Sequence, residues 1–117
     1  MKRDVSYYLG LGFDQKTAQY FATGRKKVVS VSANSDFTLT LCFDNGERRL
    51  FDAKPFLKKG TVFEHFKKYA NFCRVYVDST SAVAWDIDPK IDSNLVWNNK
   101  VDISPDTCYL ESCPIIE

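Results

Sequence analysis

The sequence predicts an α+β domain: a mostly antiparallel sheet of about five strands, one central helix, an N-terminal helical segment and a short C-terminal helix. Three observations carry this expectation. Residues 36–44, DFTLTLCFD, alternate apolar and polar side chains, the period of a strand with one buried face. Residues 43–52, FDNGERRLFD, set Asn45-Gly46 between two such runs, a strong hairpin signal. Residues 14–24, DQKTAQYFATG, instead space Ala18, Phe21 and Ala22 at helical intervals, with Tyr20 beside them. At 117 residues the chain suits a single domain and can bury a core without staples. Residues 1–25 form a helical extension, 26–111 the α+β core and 112–117 a tail.

The elements follow in order. DVSYYLGLG reads as a short helix that stops at Gly10 or Gly12. Asp14 caps the second helix, its carboxylate accepting free N–H groups of the first turn, and Gly24 supplies the left-handed residue beyond it. KKVVSVSAN, rich in β-branched residues, is the first strand. In the second, Phe37, Leu39, Leu41 and Phe43 face one way and Thr38, Thr40 and Cys42 the other. GERRLFD is the third, reached through Asp44-Asn45-Gly46-Glu47, where Asn and Gly tolerate the positive φ of a type I′ turn.

AKPFLKKG makes a turn with a short helix around Pro55. Thr61 and Glu64 have capping-box spacing, which predicts a helix over 61–69 with Val62, Phe63, Phe66 and Tyr69 inward and His65, Lys67 and Lys68 outward. FCRVYVD and SAVAWD form a second hairpin, joined through Ser79-Thr80. IDPKIDSNLVWNNKVDI then mixes turn formers with scattered apolar residues. SPDTCYLES closes the chain as a helix with Ser104 as its cap, Pro105 at its first position and Asp106 in its first turn. The tail CPIIE is expected to be loosely held. The expected core is Val29, Val31, Leu39, Leu41, Leu50, Phe63, Phe66, Val75, Val77 and Trp85.

Composition narrows the function classes. The net charge of +1 argues against a uniformly basic protein, but the halves differ. Residues 1–60 hold eleven cations against six carboxylates, and residues 61–117 hold five against nine, so the field is bipolar if the halves fold together. No apolar run approaches the roughly 20 residues of a membrane span, and MKRDVSYYLGLG lacks the apolar stretch of a signal peptide. A cytoplasmic location and no membrane contact are expected. Cys42, Cys73, Cys108 and Cys113 contain no CxxC pair, so free thiols are expected, with Cys42 and Cys73 inside strand-like runs.

Candidate chemistry is thin. Asp86, Asp88 and Asp92 have the spacing D-x-D-x-x-x-D, without the glycine and terminal glutamate of a calcium loop. They read as turn residues, with a metal-dependent enzyme as a remote alternative, and no cofactor is expected. His65, the single histidine, sits on an outward helical position, and no serine lies in a G-x-S-x-G elbow. GLG at residues 10–12 lacks the rest of a phosphate loop. Arg25, Lys26 and Lys27 follow two short helices with a GLGF corner, which makes a nucleic-acid-binding regulator the second reading. Gln15, Lys16 and Gln19 are then the base-reading candidates. The rings Trp85, Trp97 and Tyr109 either close the core or form a binding patch.

The order of motifs LTLCFDNGERRLFDAKPFL, VFEHFKKYANFCRVYVD, VAWDIDPKID and VDISPDTCYLES resembles the uncharacterised bacterial domain of unknown function numbered 2442. The matching positions are Phe43, Asp52, Pro55, Leu57, Phe72, Val75, Val77, Asp78, Trp85, Asp102, Ile103, Pro105, Asp106 and Tyr109. The helical N-terminus and the segment DPKIDSNLVWNNK stand outside the short pattern. The resemblance implies an antiparallel α+β domain, no established catalytic residues, and genes that often lie beside toxin-like partners or on mobile elements. The expected function is a non-catalytic protein-binding module that modulates a bacterial partner, antitoxin-like or inhibiting a defence nuclease such as a CRISPR-type system. The expected contact residues are Tyr7, Tyr8, Tyr20, Leu95 and Trp97, with Phe13 and Val96 beside them, and the occupant is a partner protein or a second copy in a homodimer.

Overall fold

The computed structural model describes residues 3–58 and 60–116; Glu117, the end of the expected tail, lies outside the described residues. Helices α1 (Val5–Gly10) and α2 (Gln15–Ala22) come first. Asp4 caps α1, accepting from the Tyr7 N–H, and Asp14 caps α2 as expected, accepting from the Thr17 N–H. Those bonds, with Lys16 nearby, hold the Asp14 carboxyl below its ordinary value. Strands β1 (Val28–Ala33), β2 (Thr38–Phe43) and β3 (Arg48–Asp52) follow. A 3₁₀ turn at Glu64–Lys67 leads to the short helix α3 (Tyr69–Phe72) and strands β4 (Tyr76–Val77) and β5 (Val83–Asp86). Last come β6 (Lys100–Ile103), α4 (Pro105–Leu110) and β7 (Cys113–Pro114).

The class is α+β and every strand pairing is antiparallel. The strands divide between two sheets, β1-β2-β3-β7 and β4-β5-β6, which adds two short strands to the five or so expected. Residues 113–115 are pinned rather than loose: Cys113 and Pro114 pair with Leu50 and Arg49, and the Ile115 N–H donates to the Arg48 carbonyl at 2.9 Å.

One apolar cluster joins both sheets. Val28, Leu39, Leu41, Phe43 and Phe51 enter it from the first sheet, Val83, Trp85 and Ile103 from the second, and Phe66, Phe72 and Cys108 from the segments between. Trp85 sits at its centre, 1% exposed, with ring centroids of Phe63, Phe66 and Phe72 at 6.1, 5.4 and 5.8 Å. Its indole N–H donates to the Phe72 carbonyl at 2.8 Å, so the largest buried ring leaves no polar atom unpaired.

Two expected core residues lie outside. The register shifts between Val28 and Ser30, so Val28 is buried, Val31 packs on the core, and Val29 is turned out, 58% exposed. In β3 the inward positions are Arg49 and Phe51, which leaves Leu50 on the outer face at 41% exposure. Arg49 is tolerated inside because Ser112 and Glu47 take up its guanidinium. Cys73 follows α3 and is exposed, not part of a strand.

Two local expectations also change. Phe43 accepts the Gly46 N–H and donates to the Glu47 carbonyl, both at 3.0 Å, so Asp44–Gly46 close the hairpin as a three-residue loop. Gly46 alone among them has positive φ, 88°; the loop is therefore a type I turn followed by a left-handed glycine, not a type I′ turn. The segment 61–69 is not one helix. Glu64 accepts from the Gly60 N–H, and the Thr61 hydroxyl turns back to the Lys58 carbonyl, so the capping box does not form. Lys68, with ψ 124°, breaks the path between the 3₁₀ turn and α3. The benzyl groups of Phe63, Phe66 and Phe72 set this path by packing around Trp85.

Two measurements check this core. Trp85→Ala lowers stability by about 3–5 kcal/mol in urea denaturation, because it removes a buried ring and strands the Phe72 carbonyl. Burial pushes the Cys108 thiol up to about 12, so alkylation of the native protein at pH 8 labels the exposed Cys73 and Cys113 while Cys108 reacts only after unfolding.

Candidate protein interface

The segment between β5 and β6 is irregular in sequence but closely tied. Asn99, 6% exposed, is its pin. Its backbone carbonyl accepts the Ile87 N–H at 2.7 Å and its side-chain oxygen the Asp88 N–H at 2.9 Å. Its amide nitrogen reaches the Asp88 carbonyl, the Ile91 carbonyl and the Ser93 hydroxyl at 3.0–3.1 Å. Asp86 accepts from the hydroxyls of Tyr76 and Ser93 at 2.7 and 2.6 Å. Asp88 and Asp92 each accept the N–H two residues on, from Lys90 and Asn94, as turn-forming aspartates do. The Leu95 and Val96 N–H groups both donate to the Asp92 carbonyl at 3.0 Å.

With its polar groups satisfied inward, the loop displays its apolar ones. Leu95 is 83% exposed and Trp97 84%. Ile87, Ile91 and Val96 of the same segment are exposed as well. Trp97 opens a 3₁₀ turn, Trp97–Asn99, that ends on the pinned asparagine. Asp86, Asp88 and Asp92 thus act as loop architecture. No group of three or more His, Cys, Asp or Glu among the described residues is placed to hold a metal.

The N-terminal candidates separate. Tyr7 and Tyr8 on α1 are half-buried, and the Tyr8 ring stacks on Phe21 of α2 at 5.6 Å. No residue of α1 is buried, and Leu9, Leu11 and Phe13 are exposed. Tyr20 does not belong to an exposed patch. It is 3% exposed, its hydroxyl donates to Asp106 and accepts the Lys26 N–H, and its ring lies 5.0 Å from that of Tyr109. Burial first, and then the Asp106 bond, raise its pKa above the ordinary value. A buried tyrosine between two polar partners is an attachment point for α2, which helical spacing alone did not reveal.

The three adjacent cations do not share one surface. Arg25 is exposed, 3.6 Å from Asp106, with its guanidinium over the Phe21 ring. Lys26 turns inward, its ammonium 4.9 and 5.2 Å from the ring centroids of Tyr20 and Tyr109, and burial lowers its pKa. Lys27 is exposed, and its N–H donates to Asp44.

A polar cluster that sequence spacing did not expose lies beneath this corner. Arg49 donates to the Ser112 hydroxyl and carbonyl, both at 2.7 Å, and to Glu47 at 2.9 Å. Tyr109 donates to the other Glu47 oxygen at 2.7 Å, and Arg49 lies over its ring at 4.2 Å. Burial opposes ionisation of Glu47, but bonds from Tyr109, Arg49 and Asn45 prevail and hold its carboxyl below the ordinary 4.5. A depressed native pKa adds stability that is complete above the unfolded-chain value and lost as pH falls through the native one. Glu47→Gln therefore lowers stability at neutral pH and flattens its decline below pH 4.5, read as urea midpoints across an acid series.

The model of one family, described as Protein of unknown function (DUF2442), matches residues 28–112. No curated protein and no solved structure matches the chain. The matched region runs from the start of β1 through Ser112, so it holds the Trp85 core, the Asn99-pinned loop and the Arg49 cluster, and it leaves α1 and α2 outside. With more than half of its length matched, the chain belongs to the DUF2442 family of proteins of unknown function.

Proposed function

We propose that this protein is a non-catalytic protein-binding module that modulates a bacterial partner, as an antitoxin or as an inhibitor of a defence nuclease, CRISPR-type systems included. The observation that carries the reading is the display of Leu95 and Trp97, more than four-fifths exposed, on a loop already ordered by Asn99. Leu95, Val96 and Trp97 are consecutive and all exposed, and a run of exposed apolar side chains that includes tryptophan is common at interface centres. A loop ordered before binding loses little entropy on docking. The toxin-like gene neighbours implied by the family resemblance supply the class of partner. A nucleic-acid regulator built on Arg25, Lys26 and Lys27 has weaker support, since Lys26 faces inward. An enzyme built on Asp86, Asp88 and Asp92 has less still, since all three serve turns and the Tyr76–Ser93 contact.

Affinity capture from a bacterial host lysate with quantitative mass spectrometry tests this. Trp97→Ala and Leu95→Asp are expected to change stability by less than about 1 kcal/mol, as exposed substitutions do. Both should lose a protein that the wild type and a Lys67→Ala control retain. Retention of every captured protein by both variants would overturn the reading.

A further inference from the structure

We infer that copies of this chain associate head to tail, with the acidic loop 86–97 of one copy seated in a groove on the α1–α2 pair of the next. The inference rests on the reading of that loop as an interface. The groove has a volume of about 320 Å³ and is lined by Arg3, Tyr8, Phe13, Phe21 and Arg25. Its floor is aromatic: Phe13 lies 6.3 Å from Tyr8 and 5.3 Å from Phe21, and Tyr8 stacks on Phe21. Two arginines supply the charge, Arg25 over the Phe21 ring at 5.5 Å and Arg3 over the neighbouring Tyr7 ring at 5.4 Å. Such a groove suits one large apolar side chain accompanied by carboxylates.

The 86–97 loop has that composition. It offers Trp97 and Leu95 together with Asp88 and Asp92; Asp86 is engaged by Tyr76 and Ser93, Lys90 is the one cation, and the net charge is −2. Asp88 and Asp92 pair with no cation among the described residues. Residues 1–27 carry six cations against two carboxylates, +4. The exposure of Trp97 and Leu95 shows that the loop does not fill the groove of its own chain. Loop and groove are different surfaces, so the contact is heterologous. Each added copy leaves one loop and one groove unfilled, and the assembly grows as a chain or closes as a ring. A groove this small and this exposed gives a weak contact that salt weakens further.

Sedimentation velocity over a concentration series, at low and at high salt, tests the inference. The wild-type mass is expected to rise with concentration, and less so at high salt. Trp97→Ala and Arg25→Glu should each weaken association by at least about tenfold, the loss of one interface anchor. Arg3→Glu serves as a second groove variant, because Arg25 also contacts Asp106, and circular dichroism confirms that each variant is folded. An equimolar mixture of Trp97→Ala with either arginine variant should form a 1:1 dimer and nothing larger, since one intact groove meets one intact loop. A wild type monomeric throughout, a mixture that stays monomeric, or single variants that associate with themselves as strongly as the wild type would overturn it. The capture experiment is independent of this one. Trp97-dependent capture by a monomeric wild type leaves the binding-module reading standing and this inference refuted, and head-to-tail assembly without such capture does the reverse.

Discussion

A tryptophan placed at the centre of a small core brings one donor that must be satisfied there. Trp85 meets the requirement with the Phe72 carbonyl at 2.8 Å, and the rest of the architecture depends on that bond. It fixes α3 against the second sheet. Phe63, Phe66 and Phe72 then have one place to pack, and their packing overrides the helical register of segment 61–69. The first sheet closes over the same ring cluster through Leu39, Leu41 and Phe51. A domain of this size has few buried side chains, so the ring at its centre weighs heavily in its stability.

A second constraint operates where β3 meets α4 and β7. The Arg49 guanidinium is buried, and a buried charge is stable only when its donors are used. Ser112, Glu47 and the Tyr109 ring use them, and in doing so they join the hairpin turn, α4 and the terminal strand β7. Lysine could not reproduce the arrangement, since it lacks the planar fork that reaches Ser112 and Glu47 together.

The parts of the fold legible in the sequence were those set by neighbours along the chain. Alternation located β2 and its buried Leu39, Leu41 and Phe43, and Asp14 and Ser104 marked two helix starts. Where a distant residue decides, local pattern failed. Local alternation places Val29 inward, but the register shift turns it out, and it places Leu50 inward although the inward position beside it belongs to an arginine held by Ser112, sixty-three residues away. The type I′ turn and the capping box were sound in composition, yet the turn closes as a three-residue loop on Gly46 and the capping residues bond elsewhere, to Gly60 and Lys58. For the site, the irregular stretch around Leu95 and Trp97 was legible as a place without a strand pattern. Its rigidity was not, because nothing in the spacing distinguishes Asn99 from Asn98. The burial of Tyr20 was equally hidden, since it depends on Asp106 and Tyr109 at the far end of the sequence.

The manner in which α2 meets α4 has a consequence for modularity. The junction consists of Tyr20 and Arg25 on Asp106, Lys16 on the Leu110 carbonyl, and Lys26 between two tyrosine rings. Tyr20 is buried there against the Tyr109 ring and Ala18 is buried too, but the apolar cluster around Trp85 includes none of the described residues before Val28. A replacement for this extension would have to cover Tyr109 as Tyr20 does, while the centre around Trp85 draws only on residues from Val28 onward. The position just before β1 is thus a natural fusion point, where the same core can carry different adaptors.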